Sequence, residues 1–312
     1  EYNLSVGVTA LDAVTTGDAN IAIGHDALSA NTTGSGNLAI GYGAYDNADT
    51  EGNNMAIGRD ALGGSINGGE TNIAIGNYSL DANTSGDLNI GLGYVSLTQN
   101  STGSSNVGIG NSAMQLNQTG SSNTTLGNNS MKSSLSSSYN TAVGAEALFD
   151  ANRTADTDGY NTALGYNAGN TGTNDITTGN KNTLLGASTA ASAAAGTNQT
   201  VIGFGASGTA DNSVTIGNSS VTAWYPGSDD TADLGSNSVE FKDLYIDGTA
   251  NLDAVDIDGG AIDGAAIGAN SASTGAFTTI TASTSLDVTG STGIILENDE
   301  TITNSTDTQI NM

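Results

Sequence analysis

A five-residue phrase, Asn-x-small-aliphatic-Gly, recurs thirteen times and closes at Gly7, Gly24, Gly41, Gly58, Gly76, Gly93, Gly110, Gly127, Gly144, Gly165, Gly186, Gly203 and Gly217. Most steps are 17 residues, with one of 18, two of 21 and a last one of 14. A unit this short cannot bury a face by itself. Copies spaced so evenly must therefore stack, each on the one before.

Within the phrase the fourth residue is aliphatic in every copy, from Val6 to Ile216. The second is aliphatic from Leu4 to Val107 and threonine from Thr124 to Thr200. Residues two apart share one face of a strand, so these columns are expected to lie inside a coil. The small third residue, usually Ala, then faces outward, where a second rod could approach closely. On this assignment Ile57→Asp buries an unpaired charge and is expected to disrupt the rod.

Three residues after the Gly comes Ala or Ser in nearly every copy, often followed by Leu or Met, as in Ala10-Leu11, Ala27-Leu28, Ser96-Leu97 and Ala113-Met114. The pair is expected to form a second short strand, and a polar turn with Gly17, Gly34, Gly69, Gly86, Gly103 or Gly120 closes the rung. The opening Asn, from Asn3 to Asn182, is replaced only by Gln199 and Ser213. Stacked amides predict a ladder of hydrogen bonds along the axis. At about 4.8 Å per rung, thirteen rungs give a rod of roughly 60 Å.

The expected fold class is therefore all-β, a parallel β-roll or β-solenoid of about thirteen rungs. With about three apolar side chains per rung, a single rod is marginal. Three rods packed about a common axis would shield one another, which predicts a homotrimer.

Composition narrows the function. There are 44 Gly, one Pro and no Cys, which disfavours ordinary helices and excludes disulfides. Five Lys and Arg stand against 32 Asp and Glu, a formal charge of -27 that repels phosphate backbones, so no nucleic-acid partner is expected. An acidic surface of this kind suits solubility outside the cell. No apolar run approaches 18 residues, so no membrane insertion is expected. The chain begins at Glu1 inside the repeat and lacks a closing element at Met312, which suggests an internal segment of a longer protein.

No catalytic, cofactor-binding or metal residues emerge. His25 is the only histidine, and with no Cys it has no second soft ligand and no triad around it. The stretches "TADTDGY" and "LDAVDIDGG" contain oxygen ligands but lack full calcium-loop spacing, and solvated turns account for them. Aromatics make up 5% of the chain, too few to wall a glycosidase cleft, so a depolymerase is the least favoured class. Two rungs are long, at "FDANRTADTDGY" (149–160) and "NTGTNDITTGNK" (170–181), and their extra residues are expected to bulge outward from the turns.

The repeat resembles the YadA-like head of trimeric autotransporter adhesins, with "NSVTIGNSS" (212–220) as the nearest copy. The resemblance implies a left-handed parallel β-roll and three packed chains. The longer rungs here look more like those of phage tail fibres. The phrase "DLGSNSVEFKDLYIDG" (233–248) is similar to one found in fibres bearing an intramolecular chaperone, carried by Asp233, Leu234, Gly235, Ser236, Phe241, Lys242, Asp243, Leu244, Tyr245 and Gly248. "IGANSASTGAFTTIT" (267–281) resembles a fibre-shaft phrase and implies an interwoven trimeric β shaft.

Three regions follow: a repetitive rod over 1–221, a compact connector over 222–252 with Phe241, Leu244 and Tyr245 as its apolar triplet, and a shaft over 253–312. The implied role is structural and adhesive. It fits a segment of a phage tail fibre whose partners are a host cell-surface receptor, such as a polysaccharide, or other fibre subunits. The alternative is a bacterial surface adhesin or a secreted filament.

Overall fold

The computed structural model describes residues 2–65, 67–152, 158–225, 234, 238, 239, 241–243, 245 and 246. The shaft assigned to 253–312 and the acidic stretch at 252–260 lie outside them, as does most of "TADTDGY". The chain divides into two compact units, Glu1–Ala232 and Asp233–Met312. In the second, the described apolar residues Phe241 and Tyr245 of the connector triplet are exposed, as is Leu234. Leu244, the third member of the triplet, lies outside the described residues.

The first unit is all-β and contains thirteen three-residue strands, from β1 (Leu4–Val6) to β13 (Val214–Ile216). They form one parallel sheet in strict sequence order. Each strand pairs in register with the same phrase one rung away: Leu38 opposite Met55, Ala39 opposite Ala56, Ile40 opposite Ile57. The coil is a β-solenoid of about twelve turns, and the 21-residue rungs keep the pairing, with Thr141 opposite Thr162 and Thr162 opposite Thr183.

The faces of the strand are the reverse of those expected. The third residue of the phrase is fully buried in Ala22, Ala39, Ala56, Ala74, Ala142 and Ala163, whereas the second and fourth are half-buried or exposed. The cause is the width of the coil. Its interior is already filled from the opposite wall by Leu28, Leu62, Leu80, Leu97, Met114, Met131 and Leu148, all fully buried. Only a small side chain fits between that column and the strand, so alternation sends the larger aliphatic residues outward.

The expected second strand is instead a turn. Leu28, Leu97 and Met114 have φ of 53°, 51° and 49°, in the left-handed region, which no strand adopts. The twist aims each side chain into the coil while its backbone still pairs between rungs: the N–H of Leu28 donates to the carbonyl of Ala44 (3.1 Å) and that of Leu97 to the carbonyl of Ala113 (2.9 Å). The rung's interior is therefore an Ala-Leu turn facing an Ala strand.

The asparagine ladder forms as expected. The N–H of Asn20 donates to Oδ1 of Asn3 (2.8 Å), that of Asn37 to Asn20 (2.9 Å) and that of Asn54 to Asn37 (2.9 Å). Most of the amide nitrogens turn to a carbonyl of the next rung, as Asn89 Nδ2 does to Gly103 (2.8 Å), whereas Asn140 Nδ2 donates to Ser137 Oγ (2.8 Å). The ladder continues through both long rungs, from Asn140 to Asn161 (3.0 Å) and on to Asn182 (3.1 Å). Buried amides are thus satisfied along the axis, where water cannot reach them.

A second ladder was not anticipated. Asn100 Nδ2 donates to Asn83 Oδ1 (2.9 Å), and Asn117 Nδ2 to Asn100 Oδ1 (2.7 Å). It stops at Ser134, leaving Asn117 Oδ1 and Ser134 Oγ buried without partners. The residue three further on sets the limit. A Cβ at Gly103 would lie 2.5 Å from Asn100 Oδ1, and one at Gly120 2.5 Å from Asn117 Oδ1. Asn therefore needs Gly three residues later, and Ser137 denies it to Ser134. Ser134→Asn alone should destabilise the coil by about 2 kcal/mol, and adding Ser137→Gly should recover most of that loss. A double-mutant cycle in urea measures the coupling; simple additivity would refute the pairing.

The long rung at 170–181 does not merely bulge. Gly169 stands where other rungs place Leu or Met, and Ile176 from the extra residues is fully buried. A Cβ at Gly169 would lie 2.8 Å from Leu148 Cδ2, 3.1 Å from Leu184 Cδ1 and 3.8 Å from Ile176 Cγ1. The insertion thus returns a side chain to the core where the usual one is missing. In the next rungs the strand itself supplies bulk through Leu184 and Val201.

Candidate interaction face

The outward columns of the sheet make one continuous face. Its 26 positions, the second and fourth of every phrase, hold only Leu, Ile, Val, Met and Thr. None is charged, in a chain of net charge -27. From Tyr2 to Ile216, every exposed large hydrophobic among the described residues lies in one of these two columns or in the column flanking each. One flank, just after the Gly, carries Val8, Tyr42, Tyr94, Tyr166 and Phe204. The other, just before the Asn, carries Tyr2, Leu88, Tyr139 and Tyr160. Single exposed apolar residues are ordinary on any surface, but a one-sided, contiguous stripe of them marks an interaction surface.

Rung spacing also organises the flanks. His25 stacks on Tyr42 with ring centroids 5.2 Å apart, and Arg59 Cζ lies 5.5 Å from the Tyr42 ring. Tyr139 stacks on Tyr160 at 5.1 Å. His25 is thus part of an edge stack, with Nδ1 2.7 Å from Asp26 Oδ2. Among the described residues no group of three acidic, His or Cys side chains gathers to hold a metal ion. No described helix is long and apolar enough to cross a membrane.

The rest of the rung is polar, and its carboxylates crowd. Burial raises the Asp46 carboxyl to about 6, and Asp60, Asp26 and Asp81 add to the rise against a lowering by its own backbone N–H. Burial likewise raises Asp81, with Asp60 contributing. The folded protein therefore binds the Asp46 proton more tightly than the unfolded chain, whose value is near 3.8. The stability tied to this proton is complete below 3.8 and is lost as pH rises through about 6. The melting temperature should fall across that window, and Asp46→Asn should flatten the profile. An unchanged slope in the variant would show that Asp46 is not responsible.

The sequence alone does not disclose this face, because its two aliphatic columns carry the pattern expected of an interior. Comparison with known protein families, curated proteins and solved structures gave no match to this chain.

Proposed function

We propose that the chain is a structural, adhesive fibre segment in which three copies associate along their uncharged sheet faces. The observation that carries this reading is the face itself, with two aliphatic-rich columns running the length of the solenoid and no charge among them. A chain of charge -27 repels its own copies everywhere else, so this is the surface on which copies can meet. Association would bury what each solenoid exposes and double the width of a thin core.

The motifs at 233–248 and 267–281 favour a phage tail fibre, with a left-handed rod continuing into a trimeric shaft and projecting toward a host surface. In this role the rod positions other parts of the assembly, and no reaction is assigned to it. Multi-angle light scattering on the purified chain should give three times its 30.8 kDa mass. A monomer at micromolar concentration would contradict the reading.

A further inference from the structure

The face is not uniform along its length. The second position of the phrase is aliphatic in the first seven strands, threonine in the next five (Thr124, Thr141, Thr162, Thr183 and Thr200) and valine again at Val214. The fourth position remains aliphatic throughout, so hydroxyls enter one column only, as a single block.

Four of these threonines are exposed and Thr200 is half-buried. Their backbone N–H groups are committed between rungs, as Thr124 to Asn140 (2.9 Å) and Thr183 to Gln199 (2.8 Å). Among the described residues their hydroxyls have no hydrogen-bond partner within the chain, in contrast to inward-facing Thr125, whose Oγ1 donates to the carbonyl of Val107 (3.2 Å). Five unpartnered hydroxyls therefore stand one rung apart on an otherwise aliphatic face.

Identical rungs create a problem for self-association. If every rung presented the same pair of aliphatic side chains, copies could slide past one another in steps of about 4.8 Å with like surface always meeting like. We propose that the threonine block fixes the axial register of the association, by pairing hydroxyls of the same layer in neighbouring copies. This rests on the self-association proposed above, and its occupant is a further copy of this chain.

In register, each Oγ1 can donate to one neighbouring threonine and accept from another, so a layer of three is satisfied. A one-rung slip sets Thr124 against the Val107 layer and Val214 against the Thr200 layer, and strands hydroxyls among aliphatic groups. A buried hydroxyl without a partner is disfavoured, so the two edges of the block act as stops. A polar position that fixes alignment within an apolar seam works in the same way in coiled coils.

The test co-expresses the full chain with a differently tagged variant in which all five threonines are valine, and reads the mixture by native mass spectrometry. Like should sort with like, with mixed trimers about tenfold below a random distribution. Random mixing, with both homotrimers present, would overturn the register role while leaving the association intact. Monomers alone in the wild-type sample would overturn the association itself.

A second pair, the wild type with Val107→Thr/Thr162→Val, keeps five threonines but breaks the block, so that no offset along the axis matches every hydroxyl of one chain to one of the other. It should sort in the same sense, and it decides the matter if the five-valine chain does not fold. Random mixing in that pair would equally overturn the proposal.

Discussion

Gly93→Ala should destabilise the solenoid by about 3–5 kcal/mol, at the upper end of single-residue effects. Two causes act together. The backbone at Gly93 has φ of +142°, a conformation that L side chains rarely adopt. In addition, a Cβ there would lie 2.3 Å from the carbonyl oxygen of Gly110 and 2.6 Å from its carbon, both backbone atoms of the next rung. That carbonyl cannot move aside, because the following rung presses on it in turn: a Cβ at Gly110 would meet the Gly127 oxygen at 2.4 Å. The ladder between the rungs must open, and the stack is cut into two shorter ones. Gly68→Ala separates the two causes, since Gly68 has φ of +105° but nothing within 4 Å of an added Cβ. It should cost about 1–2 kcal/mol by backbone strain alone. Equal losses at both sites, measured by denaturant unfolding, would remove the close approach of rungs from the account.

The second large effect is a contrast between neighbours. Ala56→Asp should collapse the rod, because Ala56 is fully buried between the sheet and the Leu column and no cation is there to pair a carboxylate. A loss of about 3–5 kcal/mol is expected. Ile57→Asp, one residue on, should leave the single solenoid within about 1 kcal/mol of the parent, since the side chain points outward. Its effect falls on the association proposed above: in the proposed trimer it would bring three like charges together on an apolar face, and the variant should be monomeric. Circular dichroism melting and light scattering on both variants give four readings. A melted Ile57→Asp together with an intact Ala56→Asp would restore the opposite assignment of faces.

That contrast also shows what the sequence reveals and what it conceals. The phrase and its period disclose the strands, their parallel register and the Asn ladder, because stacking requires the same residue to return at the same place. Which way the strand faces is not disclosed. Both faces are apolar in "NMAIG", and alternation fixes only that Ala56 opposes Met55 and Ile57. The choice depends on the width of the coil, which the Leu column sets from the far wall. That column is concealed in turn, since Leu28 and Leu97 adopt left-handed backbone without a glycine to announce it. The candidate face is concealed for the same reason, because its residues match the pattern of a core. The second amide ladder does leave a signal, the Asn-x-x-Gly pairs Asn83-Gly86, Asn100-Gly103 and Asn117-Gly120. The role of Ile176 leaves none, because only the packing around Gly169 shows which inserted residue returns to the core.

Distance measurement between paired spin labels tests the stacking of rungs most directly, because the chain has no cysteine of its own. Cysteines at Ala82 and Asp150 occupy the same place four rungs apart, and cysteines at Ala13 and Asp150 eight rungs apart. With labelled chains diluted into unlabelled ones, the account predicts about 19 Å and about 38 Å, a doubling of distance with a doubling of rungs. Distances that fail to scale with the number of rungs, or that spread broadly, would contradict a column of phrases stacked one upon the next.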